Sequence, residues 1–160
     1  MNLNSAKRTF VAILLCLGLV TLTGCASVAM APKDQDVAAK TFAPPPAEKS
    51  GLYIFRNSFV GQALKKILSV DGKPVGQTAN QVYFYREISP GSHTISTESE
   101  FSDNSISFLA EGGKNYFARQ YIKIGVFIGG AGIEMVSEED GKKEVLQCGL
   151  GQSFDMATGK

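Results

Sequence analysis

Leu22-Thr23-Gly24-Cys25 is the stretch of this chain best equipped for covalent chemistry. It closes an apolar run from Phe10 that follows two cations, Lys7 and Arg8. That layout is a secretory signal: a basic start, a short apolar stretch, then small residues at the cut. The run is short for a membrane span, which takes about 20 apolar residues. A small residue at Gly24 leaves the backbone open to a peptidase. The Cys25 thiol is then the nucleophile that accepts a diacylglyceryl group. Cleavage between Gly24 and Cys25 frees an amine for a further acyl chain such as palmitate. This is the pattern of a bacterial lipobox. Each buried methylene contributes about 0.8 kcal/mol, so two or three chains anchor stably where one is marginal. Two other readings of these residues are an uncleaved helix, since residues 9–32 carry no charge, and ordinary cleavage near Ala29 or Ala31. All three put the rest of the chain outside the cytoplasm.

The remaining reactive side chains lack companions. His93 is the only histidine, and no second His, Cys pair or acid at ligand spacing marks a metal site. Its place after Pro90-Gly91 suits a structural or surface role. Asp71 is explained by the turn it forms with Gly72. Ser153 has no nucleophile-elbow context. Glu138, Glu139 and Asp140 lack the spacing of a calcium loop and read better as the acidic first turn of a helix. With Cys16 in the signal and Cys25 acylated, Cys148 stands alone, so no intramolecular disulfide is available. A lone thiol in an oxidising compartment is expected to be buried. No cofactor, metal or catalytic residue is predicted, and the expected class is non-enzymatic.

Aromatic and cationic residues offer a different chemistry, that of recognition. Tyr83, Tyr85 and Arg86 lie on one predicted strand, and Tyr116, Phe117, Arg119 and Tyr121 on another. Alternation could place tyrosines on one exposed face beside Arg86 and Arg119, suited to stacking on sugars or a protein partner. Packing within the core or between strands is the competing expectation for the same rings. Arg56 closes a further aromatic strand.

Charge narrows the partners. Removing Lys7 and Arg8 leaves 14 basic against 15 acidic residues, a net charge of −1 over the 136 residues from Cys25 onward. There is no basic field for nucleic acid and no polybasic membrane patch.

These residues need a scaffold, and the patterning supplies one. Residues 1–24 form the signal. Residues 25–49 carry the anchor and then a run of Ala, Pro and charge without period, expected to be a disordered tether. Its 24 residues after Cys25 would average roughly 27 Å end to end. Residues 50–150 alternate short apolar runs with turn signals, which predicts a mainly β domain: a small antiparallel β-sandwich or curled sheet. The strands are Gly51–Arg56, Lys66–Val70, Lys73–Gly76, Val82–Ile88, Ser92–Thr97, Ser105–Ala110, Asn115–Ile124 and Ile133–Val136. Asp71-Gly72 is a type I′ hairpin turn, and Pro74 keeps the following arm at a sheet edge. Gly125–Gly132 is neither a P-loop nor a dinucleotide fingerprint; it is expected to be an apolar loop or bulge. Ser137 is a predicted N-cap of a short C-terminal helix ending at Gly149, in competition with a hairpin at Asp140-Gly141. Residues 151–160 are expected to be a loose tail.

Several turns carry a resemblance. Tyr53–Arg56, Val70-Asp-Gly-Lys-Pro-Val-Gly76, Ile88-Ser-Pro-Gly-Ser-His-Thr94 and Ala110–Phe117 together resemble a family of small Gram-negative envelope lipoproteins classed as a domain of unknown function. The hairpin and the Pro-Gly-x-His step are also similar to PEGA-type surface β-domains, although Ala79 stands where those tend to carry Pro. The resemblance covers most of residues 50–147 and implies a fold, with no catalytic residues to carry over. Ala26 after the anchor cysteine resembles outer-membrane sorting patterns.

The expectation is a lipid-anchored outer-membrane protein facing the periplasm. It would act as a binding or structural module whose partner is an envelope protein or glycan. An inhibitor or immunity-type lipoprotein blocking a cell-wall hydrolase is the alternative, with Gly125–Gly132 as its plug.

Overall fold

Ser50-Gly-Leu-Tyr-Ile-Phe-Arg56 is apolar on both strand faces, and a strand of that kind needs cover on both sides. In the computed structural model, which describes residues 26–99, 104–123 and 129–154, this segment is β1 (Ser50–Arg56), buried along its whole length. It is the middle strand of a five-stranded sheet in the order β8-β7-β1-β4-β9. Its companions are β4 (Val82–Ile88), β7 (Asn115–Lys123), β8 (Gly130–Val136) and the two-residue β9 (Gly149–Leu150). The pairs β1–β7 and β4–β9 are parallel, so this sheet is mixed. A second, antiparallel sheet has the order β3-β2-β5-β6, built from β2 (Lys66–Val70), β3 (Lys73–Thr78), β5 (Gly91–Thr97) and β6 (Asn104–Ala110).

The chain visits the sheets alternately, and each excursion to the second sheet is a hairpin. Asp71 and Gly72 turn the first with φ of 51° and 74°, the positive values that a type I′ turn requires at both central positions. Pro74 lies in β3 at the sheet edge, where a missing N–H costs least. Leu52, Ile54, Val82, Phe84 and Ala118 from the first sheet meet Leu68, Val70, Val75 and Ile95 from the second in one core. The expected mainly β fold is present, with the sandwich prevailing over the curled sheet, while the parallel pairs β1–β7 and β4–β9 depart from the expected antiparallel pairing.

The outer face of the first sheet carries a second apolar cluster. Tyr53, Phe55, Tyr83 and Phe117 project from it and are covered by Val145 and Cys148, with Ala39, Phe42 and Leu150 at the margin. Val145 belongs to α2 (Glu138–Leu146), and the Ser137 Oγ that caps it accepts from Asp140 N at 3.1 Å. The helix therefore prevails over the hairpin at Asp140-Gly141. Gly141 is there because the Phe117 ring fills the space a Cβ would take. The helix stops at Gln147 in ordinary right-handed geometry, and Gly149 begins β9 instead of serving as a left-handed cap. Leu146 faces solvent while Val145 and Cys148 face the sheet.

The expected tether is the largest correction. From Ala26 onward the segment is folded against the sandwich. Ala31 N donates to Leu150 O at 2.9 Å, Gln152 N to Ala29 O at 2.8 Å, and Lys33–Ala39 form a helix, α1. Asp36 binds this helix to the sheet. Its Oδ1 accepts from Tyr83 Oη at 2.9 Å and from Leu150 N at 3.1 Å, and its Oδ2 from Lys40 Nζ at 3.0 Å. Phe42, at φ 52°, packs on Tyr53 and Phe117 with ring centroids 5.4 and 6.0 Å away. Asn115 Nδ2 donates to Phe42 O at 3.0 Å, and Pro45 is buried. Composition pointed to disorder, but an uncovered aromatic sheet face outweighs it. The expected loose tail is likewise ordered at its start: Gly151 N donates to Tyr83 O and Phe154 N to Val75 O, each at 2.8 Å. The strand that opens at Gly130 takes in Gly130–Gly132, so only part of the expected glycine-rich loop can be a loop. Residues 124–128, 155–160 and the signal with its lipobox, including Gly24 and Cys25, lie outside the described residues.

Asp36→Ala leaves the Leu150 amide and the Lys40 ammonium without this acceptor and leaves the Tyr83 hydroxyl only its longer bond to Asp36 O at 3.3 Å, which should cost about 1–3 kcal/mol in urea unfolding. A change within about 0.5 kcal/mol, as for an exposed surface residue, would contradict the integral role of this segment.

Candidate functional site

The six tyrosines and arginines expected to share a face are divided by strand alternation. The register Tyr85↔Tyr53↔Phe117 puts Tyr83, Tyr85, Arg119 and Tyr121 on the outer face of the first sheet, and Arg86 and Tyr116 on the inner face. Most of them are engaged. Tyr83 is fully buried, its hydroxyl held by Asp36 and Lys40 Nζ lying 5.6 Å from its ring centre. Burial first, then the Asp36 carboxylate, holds its phenol protonated well above the ordinary range. Tyr116 packs its ring on Phe108 at 5.3 Å, and its hydroxyl accepts from Glu111 N at 2.8 Å. Arg119 pairs with Glu134 directly opposite on β8, at 2.7–2.8 Å. Tyr121 lies over Gly132, its cross-strand partner, under the Lys123 ammonium. Arg56 is fully buried and donates to Gly61 O and Leu64 O at 3.0 and 2.8 Å, with no acid in ion-pair range among the described residues.

Tyr85 and Arg86 remain. Both line an open cleft of roughly 900 Å³ between α1, the 150–154 segment and the end of β4, a size suited to a ligand. Tyr53 and Leu150 contribute apolar wall, and Gln35, Thr41, Gln152 and Ser153 bring amides and hydroxyls. Tyr85 stacks at 4.7 Å from Tyr53, whose own hydroxyl donates to Ala39 O at 2.8 Å. Arg86 is partly exposed and faces no carboxylate at ion-pair distance among the described residues. It also borders a smaller cleft of roughly 270 Å³ that holds Asp71, Lys73, Glu87 and His93. The walls supplied by residues 31–43 were not foreseen. A signal was present: Pro32, then Asp34 and Asp36 in a first turn, then Val-Ala-Ala-Lys with Asp36 and Lys40 four apart.

His93 is committed to structure. Its Nδ1 donates to Asp71 Oδ2 at 2.6 Å and its Nε2 to Ser89 O at 2.7 Å. Both partners are acceptors, so only the doubly protonated ring satisfies both. Asp71 also accepts from Thr94 N at 2.9 Å, fastening the first hairpin to β5. Burial opposes the His93 charge, but the bonds to Asp71 and Ser89 outweigh it and raise its pKa above the usual value. Burial likewise opposes the Asp71 charge, and the bonds from Thr94 and His93 overcome it, so that its pKa falls. Cys148 is buried, its thiol pushed up to about 12 chiefly by burial, which leaves almost no nucleophilic thiolate at neutral pH.

Residues 46–131, more than half the chain, match the family model described as "Protein of unknown function (DUF2846)". The chain belongs to this family. A protein of Haemophilus influenzae described as uncharacterized is 51% identical over 132 residues, covering 82% of this chain and 79% of the relative. No solved structure matches the chain. The family match begins at Pro46, so it takes in both sheets up to Ala131 while α1 and α2 lie outside it. The large cleft is thus built where the family's sheet meets this chain's flanking segments.

A histidine whose folded pKa is raised contributes stability that is complete below about pH 6.5 and lost as pH rises through the folded value. Asp71 gives the mirror case, its contribution lost as pH falls through its lowered value. Because His93 is the only histidine, the melting temperature should fall between pH 5.5 and 8.5, and His93→Gln should flatten that slope. Equal slopes in both proteins would contradict the pairing.

Proposed function

We propose that this protein is a lipid-anchored envelope protein of the outer membrane, facing the periplasm, and that its β domain binds another envelope component without transforming it. Anchoring rests on the Leu22–Cys25 motif. Binding rests on the large cleft, where a cation with no ion-pair partner among the described residues and an aromatic ring stand at the mouth of a partly apolar groove. An arginine in that position pairs bidentately with a carboxylate, and the neighbouring Tyr85 ring suits stacking on a sugar or an extended peptide. The ligand is therefore a carboxylate-bearing envelope protein segment or glycan. His93 is held between two acceptors and Cys148 is buried.

The observation that carries this reading is Arg86, held at the cleft with no acid at ion-pair distance among the described residues. A photo-crosslinker in place of Gln152 should capture a defined partner in cells, and Arg86→Glu should abolish that capture while leaving the melting temperature unchanged. Capture that survives the charge reversal would contradict the cleft as the binding site.

A further inference from the structure

The route of the chain into the domain sets where a membrane anchor would lie. Ala26 N donates to Gln62 O at 3.1 Å, and Cys25 is the residue before Ala26. Consecutive Cα atoms are about 3.8 Å apart, so no spacer separates an acylated Cys25 from the loop of residues 57–65. That loop carries Phe59, 85% exposed and the most exposed large apolar side chain among the described residues, and its sequence neighbour Val60, 48% exposed. The two are adjacent in sequence and lie three and two residues from Gln62, so Phe59 is within about 11 Å of Gln62 along the chain.

The loop holds these side chains out on a rigid base. Arg56 is fully buried beneath it and donates to the Gly61 and Leu64 carbonyls. Ser58 N donates to Asn80 Oδ1 at 2.8 Å, and Asn57 Nδ2 to Glu144 Oε2 at 2.7 Å. Phe59 and Val60 together form an exposed apolar tip on this pinned loop.

We propose that Phe59 and Val60 enter the surface of the bilayer that holds the acyl chains of Cys25, making the 57–65 loop a second membrane contact. The inference rests on the lipoprotein reading above. Interfacial side chains enter a bilayer by about 5–10 Å, a depth a loop tip can reach. It also orients the domain. Arg56 ends β1 at the loop, whereas Arg86 pairs in register with Leu52 near the start of the same strand. The Arg86 side of the large cleft then lies away from the membrane.

The chain has no tryptophan, so a single one reports its own surroundings. The full chain with Phe59→Trp, matured in Gram-negative cells, is reconstituted into phosphatidylcholine vesicles with or without bromine on the acyl chains. Leu109→Trp is the control, since Leu109 is 69% exposed on β6 and lies beside the turn that meets the start of β1. Phe59→Trp should be blue-shifted, should lose most of its emission to brominated lipid, and should resist aqueous iodide; Leu109→Trp should show the reverse. If the acylated Phe59→Trp protein emits with no response to brominated lipid, this inference alone is overturned, whether iodide reaches the ring or a protein shields it. Mass spectrometry that finds no acyl group on Cys25 overturns the lipoprotein reading and this inference with it.

Discussion

A sheet with two apolar faces needs two covers, and the structure follows from how this chain supplies the second. The inner face of the five-stranded sheet is buried by the hairpins of the other sheet. The outer face presents Tyr53, Phe55, Tyr83 and Phe117, rings too large to leave in water. α2 and the turn that follows it cover part of them through Val145 and Cys148. The rest falls to the segment before β1, with Phe42 over Tyr53 and Phe117 and Asp36 joined to Tyr83. Each ring with a polar tip has that tip satisfied, since a buried hydroxyl without a partner would offset much of the gain from burial. The candidate cleft is a by-product of this cover: it opens where α1 and the 150–154 segment fail to close over Tyr85 and the end of β4.

The same constraint changes what an anchor at Cys25 would mean. A disordered 24-residue spacer would let the domain sample a shell above the membrane. A segment that is folded from Ala26 removes that freedom and brings the 57–65 loop next to the point of attachment. On the lipoprotein reading, the domain then has a defined orientation. The Arg56 end of β1 would then face the bilayer, and the Arg86 and His93 end would face outward. On the same proposal, a binding module held this way would meet a partner with little orientational entropy left to lose.

The strands were legible because their signals are local. Asp71-Gly72, Pro74 at an edge, and the caps at Ser137 each depend on residues within a few positions, and each stands as read. The parallel pairing of β1 with β7 depends on residues 64 positions apart at Gly51 and Asn115, and nothing local encodes it. The aromatic set was readable as strand residues but not as a face, because alternation sends Arg86 inward while Tyr85 points outward. Residues 26–49 were misread for a related reason. Their proline and alanine content resembles a linker, and the force that orders them is the distant Tyr53–Phe117 surface. Asp36 and Lys40, four apart behind an acidic turn, were the local trace of it.

The central claim is that the segment before β1 is part of the folded domain. Hydrogen exchange on the full chain tests it directly, through amides whose acceptors lie across the interface. The Ala31 amide, bonded to Leu150 O, and the Gln152 amide, bonded to Ala29 O, should exchange as slowly as those of β1 and open only with the whole domain. Exchange of both at the rate of an unstructured peptide, with β1 still protected, would contradict it.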